Sequence, residues 1–217
     1  MSEARQHKFV PAPGAADLLL IRHGESQAAV RGQSFPMIDG QGDPALRPEG
    51  HEQARAVCAR LKQEPISAIY VTTLQRTHQT AAPLALALGL EPNVERDLRE
   101  VFLGDWEGGE FRFRAAEKDP AFQRAKENQE WGEFPGAETT AQLQARVYAG
   151  LQRIAAAHPD ELVAVVVHGG VIAAALALAT GSPAFAFQGA DNGSISRLVI
   201  HNKQMILRGF NDVSHLT

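Results

Sequence analysis

The sequence predicts an α/β fold, a three-layer α/β/α sandwich whose mainly parallel sheet carries an antiparallel addition. Short, continuously apolar runs alternate along the chain with segments of helical periodicity, which is typical of a parallel sheet covered by helices. The last two apolar runs flank a short polar turn and predict a terminal β-hairpin. The chain has 217 residues, 44% of them hydrophobic, which suffices for one packed domain.

The first part of the chain predicts a leader, a strand, a long loop and a helix. Proline and glycine interrupt residues 1–16, so we expect a flexible leader there and a single domain over 17–217. The apolar run at 17–22 predicts a buried strand. Residues 24–45 show no period, and a loop of that length within a domain usually has a function. A helix is predicted from Pro48, where proline occupies the first turn.

The middle of the chain predicts two further strands and several helices. A short apolar strand is expected at 67–71, and a briefer one at 93–95. Helical composition marks residues 74–88, within which Pro83 predicts a kink. The charged segment 110–134 indicates one or two exposed helices.

The last part of the chain has the clearest patterns. Apolar residues at helical spacing predict an amphipathic helix over 141–157. Four valines mark a buried strand at 162–167, which leads into a hydrophobic helix ending near Thr180. The alternating segments 194–200 and 204–210 form the predicted hairpin.

Composition and charge exclude several classes of function. The net charge is −4, so no overall positive field attracts nucleic acid, and any anion must be bound locally. Cys58 is the only cysteine, which excludes an internal disulfide and a thiolate zinc site. No apolar run is long enough for a signal peptide or a membrane span. We therefore expect a cytoplasmic protein without nucleic-acid or membrane partners, and the oligomeric state is left open.

Two of the predicted strands end in turns that contain histidine. RHGE (22–25) follows the first strand, and HGG (168–170) follows the valine-rich strand. Ligands bind at the carboxyl ends of strands in open α/β sheets, so His23 and His168 are expected at the ligand-binding edge. One such histidine alone would more simply be structural. Two at equivalent strand ends, the first beside Arg22, favour a functional site.

A series of ordered motifs resembles those of the histidine phosphatase superfamily, also called phosphoglycerate mutase-like. The two histidine turns resemble its first and last motifs, and four segments between them follow in the family's order. The resemblance runs from Asp17 to Phe210, nearly the whole chain. The intermediate segments are DPALRPEG (43–50), TTLQRTHQT (72–80), LRE with the following GDWEG (98–108), and PGAET (135–139).

The resemblance implies a binding site for a phosphomonoester. A phosphate dianion needs charge neutralisation in a fixed geometry, which the guanidinium fork of arginine supplies. Arg22 and Arg76 are accordingly implied to bind phosphate. His168 is implied to donate to the oxygens of the transferring phosphoryl group, and Gly169 opens a helix whose amide groups favour an anion. No histidine, cysteine or carboxylate cluster has metal-ligand spacing, so neither a metal nor a cofactor is expected.

The resemblance also implies catalytic roles for His23 and Glu100. His23 is the expected nucleophile, forming a phosphohistidine through one ring nitrogen while a backbone carbonyl holds the other. Glu100 is the expected proton donor to the leaving alcohol and then the base that activates water. Glu107 is a rival for that role. Glu25 is interpreted as structural. Arg112 could reach an anionic tail of the substrate, but an exposed helix face is the favoured interpretation.

Departures from the family pattern favour hydrolysis over isomerisation. Ala29 stands where the family often has asparagine, and Gln33 or Ser34 could replace that contact. Val-Phe-Leu-Gly follows Glu100, whereas Arg-His-Tyr-Gly accompanies the acid of glycolytic mutases. The implied function is a phosphomonoesterase for a small phosphorylated metabolite. The alternatives are a 2,3-bisphosphoglycerate-dependent phosphoglycerate mutase and a catalytically silent phospholigand-binding module.

Overall fold

A mixed six-stranded sheet forms the centre of the computed structural model, which describes residues 6–216. In chain order the strands are β1 (Ala16–Arg22), β2 (Met37–Ile38), β3 (Gln41–Gly42), β4 (Ile66–Val71), β5 (Asn93–Val94), β6 (Leu162–Val167), β7 (Ile195–His201) and β8 (Gln204–Asp212). The sheet order is β5-β4-β6-β1-β7-β8, and β2 pairs with β3 outside it. Strands β5, β4, β6 and β1 are parallel, whereas β7 is antiparallel to β1 and to β8. The predicted fold class is confirmed.

Among the described residues, six α-helices flank the sheet. They are α1 (Pro48–Leu61), α2 (Gln75–Leu88), α3 (Glu110–Ala116), α4 (Pro120–Asn128), α5 (Thr140–Ala157) and α6 (Gly169–Thr180). Helix α2 continues through Pro83, and α5 begins with a capping box formed by Thr139 and Gln142. Between residues 6 and 216, no helix combines the length and the apolar character needed to cross a bilayer.

Alternate side chains of β1 enter the two layers of the core. Leu18 and Leu20 pack with residues of α5 and α6, whereas Leu19 and Ile21 pack with residues of α1 and α2. This follows from the two-residue period of a strand, and burial on both faces explains why the run is continuously apolar. Truncating Leu18 or Leu20 to alanine is expected to cost about 2–5 kcal/mol of stability. The core therefore fixes β1 and the residues at its end.

The first strand begins one residue earlier than predicted. Ala16 belongs to β1, and both Ala15 and Ala16 are buried, so the end of the predicted leader is part of the core. Residues 6–10 are exposed and form no helix or strand. The predicted leader also includes residues 1–5, which lie outside the described residues. Its flexibility stays a prediction.

The long loop after β1 contains a small hairpin that was not predicted. Strands β2 and β3 are joined by Asp39 and Gly40, whose φ angles are 48° and 80°. Positive φ at both central residues is the requirement of the tightest hairpin turns, and Asp-Gly is a preferred pair there. The hairpin directs Gln41, Gly42 and Asp43 toward the sheet edge that carries the two histidine turns.

Candidate active site

The carboxyl ends of β1 and β6 bring the two histidine turns together. The strands are parallel neighbours, with Arg22 opposite Val167. The backbone N–H of His23 donates to the carbonyl of Val167 at 2.9 Å. The ring centroids of His23 and His168 are 5.1 Å apart, and both residues are buried. The two side chains therefore lie side by side at one sheet edge.

Both ring nitrogens of His23 have partners that fix its tautomer. Nδ1 lies 2.7 Å from the carbonyl oxygen of Gly24, which can only accept, so Nδ1 carries the proton. Nε2 accepts a hydrogen bond from Nε of Arg76 at 3.3 Å. Burial, followed by the charges of Arg76 and Arg22, holds the pKa of His23 well below its usual value. The imidazole is therefore neutral near pH 7, with its lone pair at Nε2.

Arg76 is held in place by the start of α2 and by the β2–β3 hairpin. Its side chain is buried, and Nη1 donates to the carbonyl of Gly42 at 3.1 Å. Nη1 also lies 3.9 Å from the carboxylate of Asp43. That carboxylate in turn accepts the backbone N–H of Gln75 at 2.8 Å, in the first turn of α2. Asp43 thus connects the hairpin to the helix that carries Arg76.

Arg22 supplies a second guanidinium at the same edge. Its Nη1 donates to the carbonyl of Ala190, and its buried Nε has no partner among the described residues. A Cβ on Gly169 would lie 3.4 Å from this Nε, in ordinary van der Waals contact, so the start of α6 packs directly against the guanidinium. Two arginines beside one imidazole provide the charge and the directional donors that a phosphate dianion requires.

His168 presents one ring nitrogen that has no protein partner. Its Nε2 lies 3.0 Å from the hydroxyl oxygen of Thr72, while Nδ1 is buried and unpartnered among the described residues. Burial, then the charge of Arg76, lowers its pKa well below the usual value. His168 is therefore neutral near pH 7, and Nδ1 is the ring atom available to a bound group.

Glu100 is held against the first turn of α6. Its Oε1 accepts the backbone N–H of Val101 at 2.9 Å and that of Gly170 at 3.2 Å. A Cβ on Gly170 would come within 2.5 Å of a Val101 methyl and 2.6 Å of Oε1. Only glycine fits there without a shift of the Val101 and Glu100 side chains. The helix amide predicted to favour an anion therefore binds the protein's own carboxylate.

A guanidinium that the sequence analysis missed organises the loop around Glu100. Arg146, on α5, donates to the carbonyl oxygens of Asp97, Arg99 and Glu100 at 2.8, 2.7 and 2.9 Å. It also forms an ion pair with Glu138 through Nε at 2.9 Å and through Nη2. These contacts fix the backbone on both sides of the proposed acid, so Arg146 positions a side chain that it does not itself touch.

Glu107 lies in the same cavity as Glu100. Its two carboxylate oxygens accept the backbone N–H groups of Leu103 and Gly42 at 3.0 and 2.8 Å. Burial raises the pKa of Glu107, and these two hydrogen bonds oppose the shift. Both candidate acids therefore line the same cavity.

The site opens into a cavity of about 690 Å³. Arg22, His23, Arg76 and Glu100 line one part of it, and the ring of His168 lies beside that of His23. The remaining wall is largely apolar and comes from the loop after β1, from α3 and from the turns near Trp106 and Trp131. The volume is within the range of small-molecule sites.

Arg112 is exposed on α3, as predicted. Its guanidinium turns toward the cavity, where Nη2 donates to the hydroxyl of Ser26 at 2.8 Å and Nη1 to the carbonyl of Gln27 at 2.6 Å. The seven-residue helix α3 contributes to the lining of the cavity, which sequence periodicity could not indicate. Glu25 forms an ion pair with Arg47 at 2.9 Å, in agreement with a structural role.

Two polar cavity residues have no counterpart in the sequence analysis. Gln41 donates to the carbonyl of Glu100 at 2.7 Å, and Asn192 donates to the carbonyl of His23 at 2.9 Å. Neither Gln33 nor Ser34, the suggested substitutes for the family's asparagine, is among the lining residues, whereas Gln41 is. Asn192 precedes β7, which runs antiparallel, so the start of that strand lies at the same edge.

Comparisons with known proteins agree on one family. A sequence profile of the histidine phosphatase superfamily (branch 1) matches residues 18–213. Phosphoglycerate mutase-like protein 4 of Arabidopsis thaliana is 35% identical over 72% of this chain and 68% of its own length. The metal-independent phosphoserine phosphatase of the same plant is 33% identical, with coverages of 93% and 83%. A mycobacterial glucosyl-3-phosphoglycerate phosphatase, solved with VO3, has a TM-score of 0.77, 30% identity and coverages of 90% and 98%.

Proposed function

The chain belongs to the histidine phosphatase superfamily and is a phosphatase, and we propose that it hydrolyses a small phosphomonoester through a phosphohistidine formed on His23. The names of two relatives support hydrolysis, since one is a metal-independent phosphoserine phosphatase and another a glucosyl-3-phosphoglycerate phosphatase. No metal or organic cofactor is part of the proposal, because Arg22 and Arg76 supply the positive charge.

The tautomer of His23 is the observation that carries the proposal. A nucleophilic imidazole needs an unprotonated nitrogen directed at the substrate and a proton on the other nitrogen. The Gly24 carbonyl holds the proton at Nδ1, and the lowered pKa keeps Nε2 free near pH 7. Arg76 lies beside Nε2 at 3.3 Å, where a phosphate oxygen would meet the guanidinium. A histidine held only for packing would not need this arrangement.

In the first step, Nε2 of His23 attacks phosphorus and the bond from phosphorus to the ester oxygen breaks. Arg22, Arg76 and Nδ1 of His168 stabilise the charge on the transferring group. The departing alkoxide takes a proton from a carboxylic acid, which we assign to Glu100. The alcohol leaves, and the phosphoryl group stays on His23.

In the second step, the resulting carboxylate of Glu100 accepts a proton from water. The water oxygen attacks phosphorus, the bond from phosphorus to Nε2 breaks, and the imidazole regains its lone pair. Inorganic phosphate leaves, and Glu100 is again protonated. The Gly24 carbonyl holds the Nδ1 proton throughout, so the ring needs no tautomer change.

Glu100 is assigned in preference to Glu107 because of its surroundings. It contacts the first turn of α6, which begins next to His168, and Arg146 fixes its backbone. Glu107 instead accepts hydrogen bonds from the backbone N–H groups of Gly42 and Leu103, one on each carboxylate oxygen. Its raised pKa nevertheless makes it the matched alternative in any test of the acid.

Isomerisation by a 2,3-bisphosphoglycerate-dependent mutase is the second candidate. The name of the phosphoglycerate mutase-like relative favours it. A mutase must hold a second phosphate or carboxylate in addition to the transferred group. Besides Arg22 and Arg76, the only cationic side chain among the described lining residues is Arg112, which already donates to Ser26 and Gln27. Hydrolysis is therefore preferred.

Phosphate release from a panel of phosphomonoesters tests the proposed function. We expect release from nitrophenyl phosphate and from at least one metabolite ester, with His23→Ala inactive but folded. A mutase would instead convert 3-phosphoglycerate to 2-phosphoglycerate only after priming with the bisphosphate. No release from any ester, with phosphate still bound, would support a silent phospholigand-binding module.

A further inference from the structure

Beyond the phosphate-facing residues, five aromatic rings line the cavity. They come from the loop after β1, from α3 and from two short turns, so they surround the space in which the alcohol part of a substrate would lie. The rings are Phe35, Trp106, Phe111, Phe113 and Trp131. Rings placed in this way offer a ligand apolar contact surface rather than hydrogen-bonding groups.

The aromatic wall is held in place by packing behind it. Trp106 stacks on the fully buried Phe134 with centroids 4.2 Å apart. Trp131 packs against Phe185 at 4.9 Å, and Phe111 contacts Trp106 at 6.3 Å. These three rings are thus arranged before a ligand binds, which lowers the ordering cost for an apolar ligand.

Charged side chains on the same wall already have partners in the protein. Arg112 donates to Ser26 and Gln27, and its guanidinium lies 5.1 Å from the Phe35 ring. Glu25 pairs with Arg47. A substrate carboxylate or ammonium group would therefore compete for occupied partners, and its desolvation would be poorly compensated.

Small apolar residues also line the cavity. Ala28, Ala29 and Ala116 line the cavity. Their methyl groups add apolar surface and no hydrogen-bonding side chain to this lining. The available space and its lining both favour an apolar group.

We infer that the preferred substrate is the phosphomonoester of an alcohol bearing an apolar ring, and not of a small carboxylated or amino alcohol. This inference rests on the proposed function and specifies the substrate class of the same site. It departs from the phosphoserine named for one relative. The ring is expected to lie among the aromatic side chains while the phosphate contacts Arg22 and Arg76.

Paired esters with leaving groups of similar basicity test the inference. We compare kcat/KM for benzyl phosphate, 2-methoxyethyl phosphate and phosphoserine. Burial of one ring is expected to favour the benzyl ester over each of the others by about 10- to 100-fold. Dissociation constants of benzylphosphonate and methylphosphonate, measured by calorimetry, should show the same order without turnover. Equal values for the ring-bearing and ring-free compounds in both measurements would overturn the inference.

Two variants test the aromatic wall directly. Phe113→Ala should lower kcat/KM for benzyl phosphate about tenfold and leave 2-methoxyethyl phosphate nearly unchanged. Ala116→Lys should raise the relative activity toward phosphoserine, because it adds an unpaired cation at an exposed lining position. Phe210→Ala is the control, since Phe210 packs against Phe187 and is not among the lining residues. An unchanged benzyl preference in Phe113→Ala would count against the assigned wall.

The two proposals fail in different ways. If no ester releases phosphate but benzylphosphonate binds more tightly than methylphosphonate, hydrolysis is wrong and the apolar wall is supported. If phosphate is released equally from all three esters and the phosphonates bind equally, hydrolysis stands and the substrate class is wrong.

Discussion

Nε of Arg76 donates a hydrogen bond to Nε2 of His23 at 3.3 Å, so the nitrogen assigned to attack phosphorus lies against a buried cation. This contact has two effects. It requires Nε2 to be an acceptor, which agrees with the proton held at Nδ1 by Gly24. It also makes protonation of the ring unfavourable, because a second positive charge would lie beside the first.

The pH dependence of Arg76→Ala should report this charge effect. Since Arg76 lowers the pKa of His23, its removal should raise that pKa and move the acidic limb of the rate profile to higher pH. Phosphate binding should also weaken, with kcat/KM falling by about 100-fold or more. The measurement is single-turnover phosphoenzyme formation between pH 5 and 8. An acidic limb that stays in place would show that Arg76 binds phosphate without tuning the nucleophile.

The identity of the acid should appear in the dependence on the leaving group. Glu100→Gln is expected to slow phosphoenzyme formation from an alkyl phosphate by about 10²–10⁴-fold, because the alkoxide needs a proton as it departs. A nitrophenolate leaves as an anion, so the same substitution should slow phosphoenzyme formation from nitrophenyl phosphate much less. Glu107→Gln is the matched control within the cavity. If Glu107→Gln gives the differential effect instead, the role belongs to Glu107.

Arg146 is expected to act by positioning Glu100. Arg146→Lys removes the planar fork that donates to three carbonyl oxygens and pairs with Glu138. For alkyl phosphates we expect kcat to fall about tenfold or more with KM little changed, and nitrophenyl phosphate to be affected less. Arg153→Lys is a control on the same helix, because Arg153 pairs with Glu95 and Asp97 but is half exposed. Equal losses in the two variants would contradict positioning.

Activity should be independent of divalent metal. Between residues 6 and 216, no group of three or more histidine, cysteine or carboxylate side chains is arranged to hold a metal ion. We expect full activity after treatment with EDTA, and strong inhibition by orthovanadate, whose trigonal-bipyramidal form resembles the transferring phosphoryl group. A Mg²⁺-dependent phosphatase assayed in parallel should lose activity with EDTA. If the present protein lost activity with EDTA and regained it with Mg²⁺, the proposal that Arg22 and Arg76 supply the positive charge would be wrong.

The parts of the fold and site that follow short-range rules could be predicted from the sequence. Apolar runs locate β1 and β6, because strands buried on both faces lack polar alternation. Parallel strand ends then bring His23 and His168 to one edge. Arg76 and Glu100 needed the family resemblance, since an isolated arginine or glutamate is ordinarily a surface charge.

Other features depend on contacts between distant segments, which no local pattern records. Arg146 acts through the carbonyl oxygen of Glu100, 46 residues away along the chain. Gln41 reaches the same carbonyl from the hairpin. The Asp39–Gly40 turn was a usable signal for that hairpin, but strands of two residues are too short to show a period. Arg112 is exposed on a helix without a fully buried residue, so no local pattern indicates that its guanidinium lines the cavity.

Trapping of the covalent intermediate tests the central claim most directly. The enzyme is mixed with a phosphate ester labelled at phosphorus, quenched in alkaline detergent during turnover, and the label on the protein is assayed for stability. The account predicts acid-labile, alkali-stable phosphate on the wild type and on the control His201→Ala, and none on His23→Ala. Equal labelling of His23→Ala, or turnover by the wild type with no labelled protein, would contradict a phosphohistidine at His23.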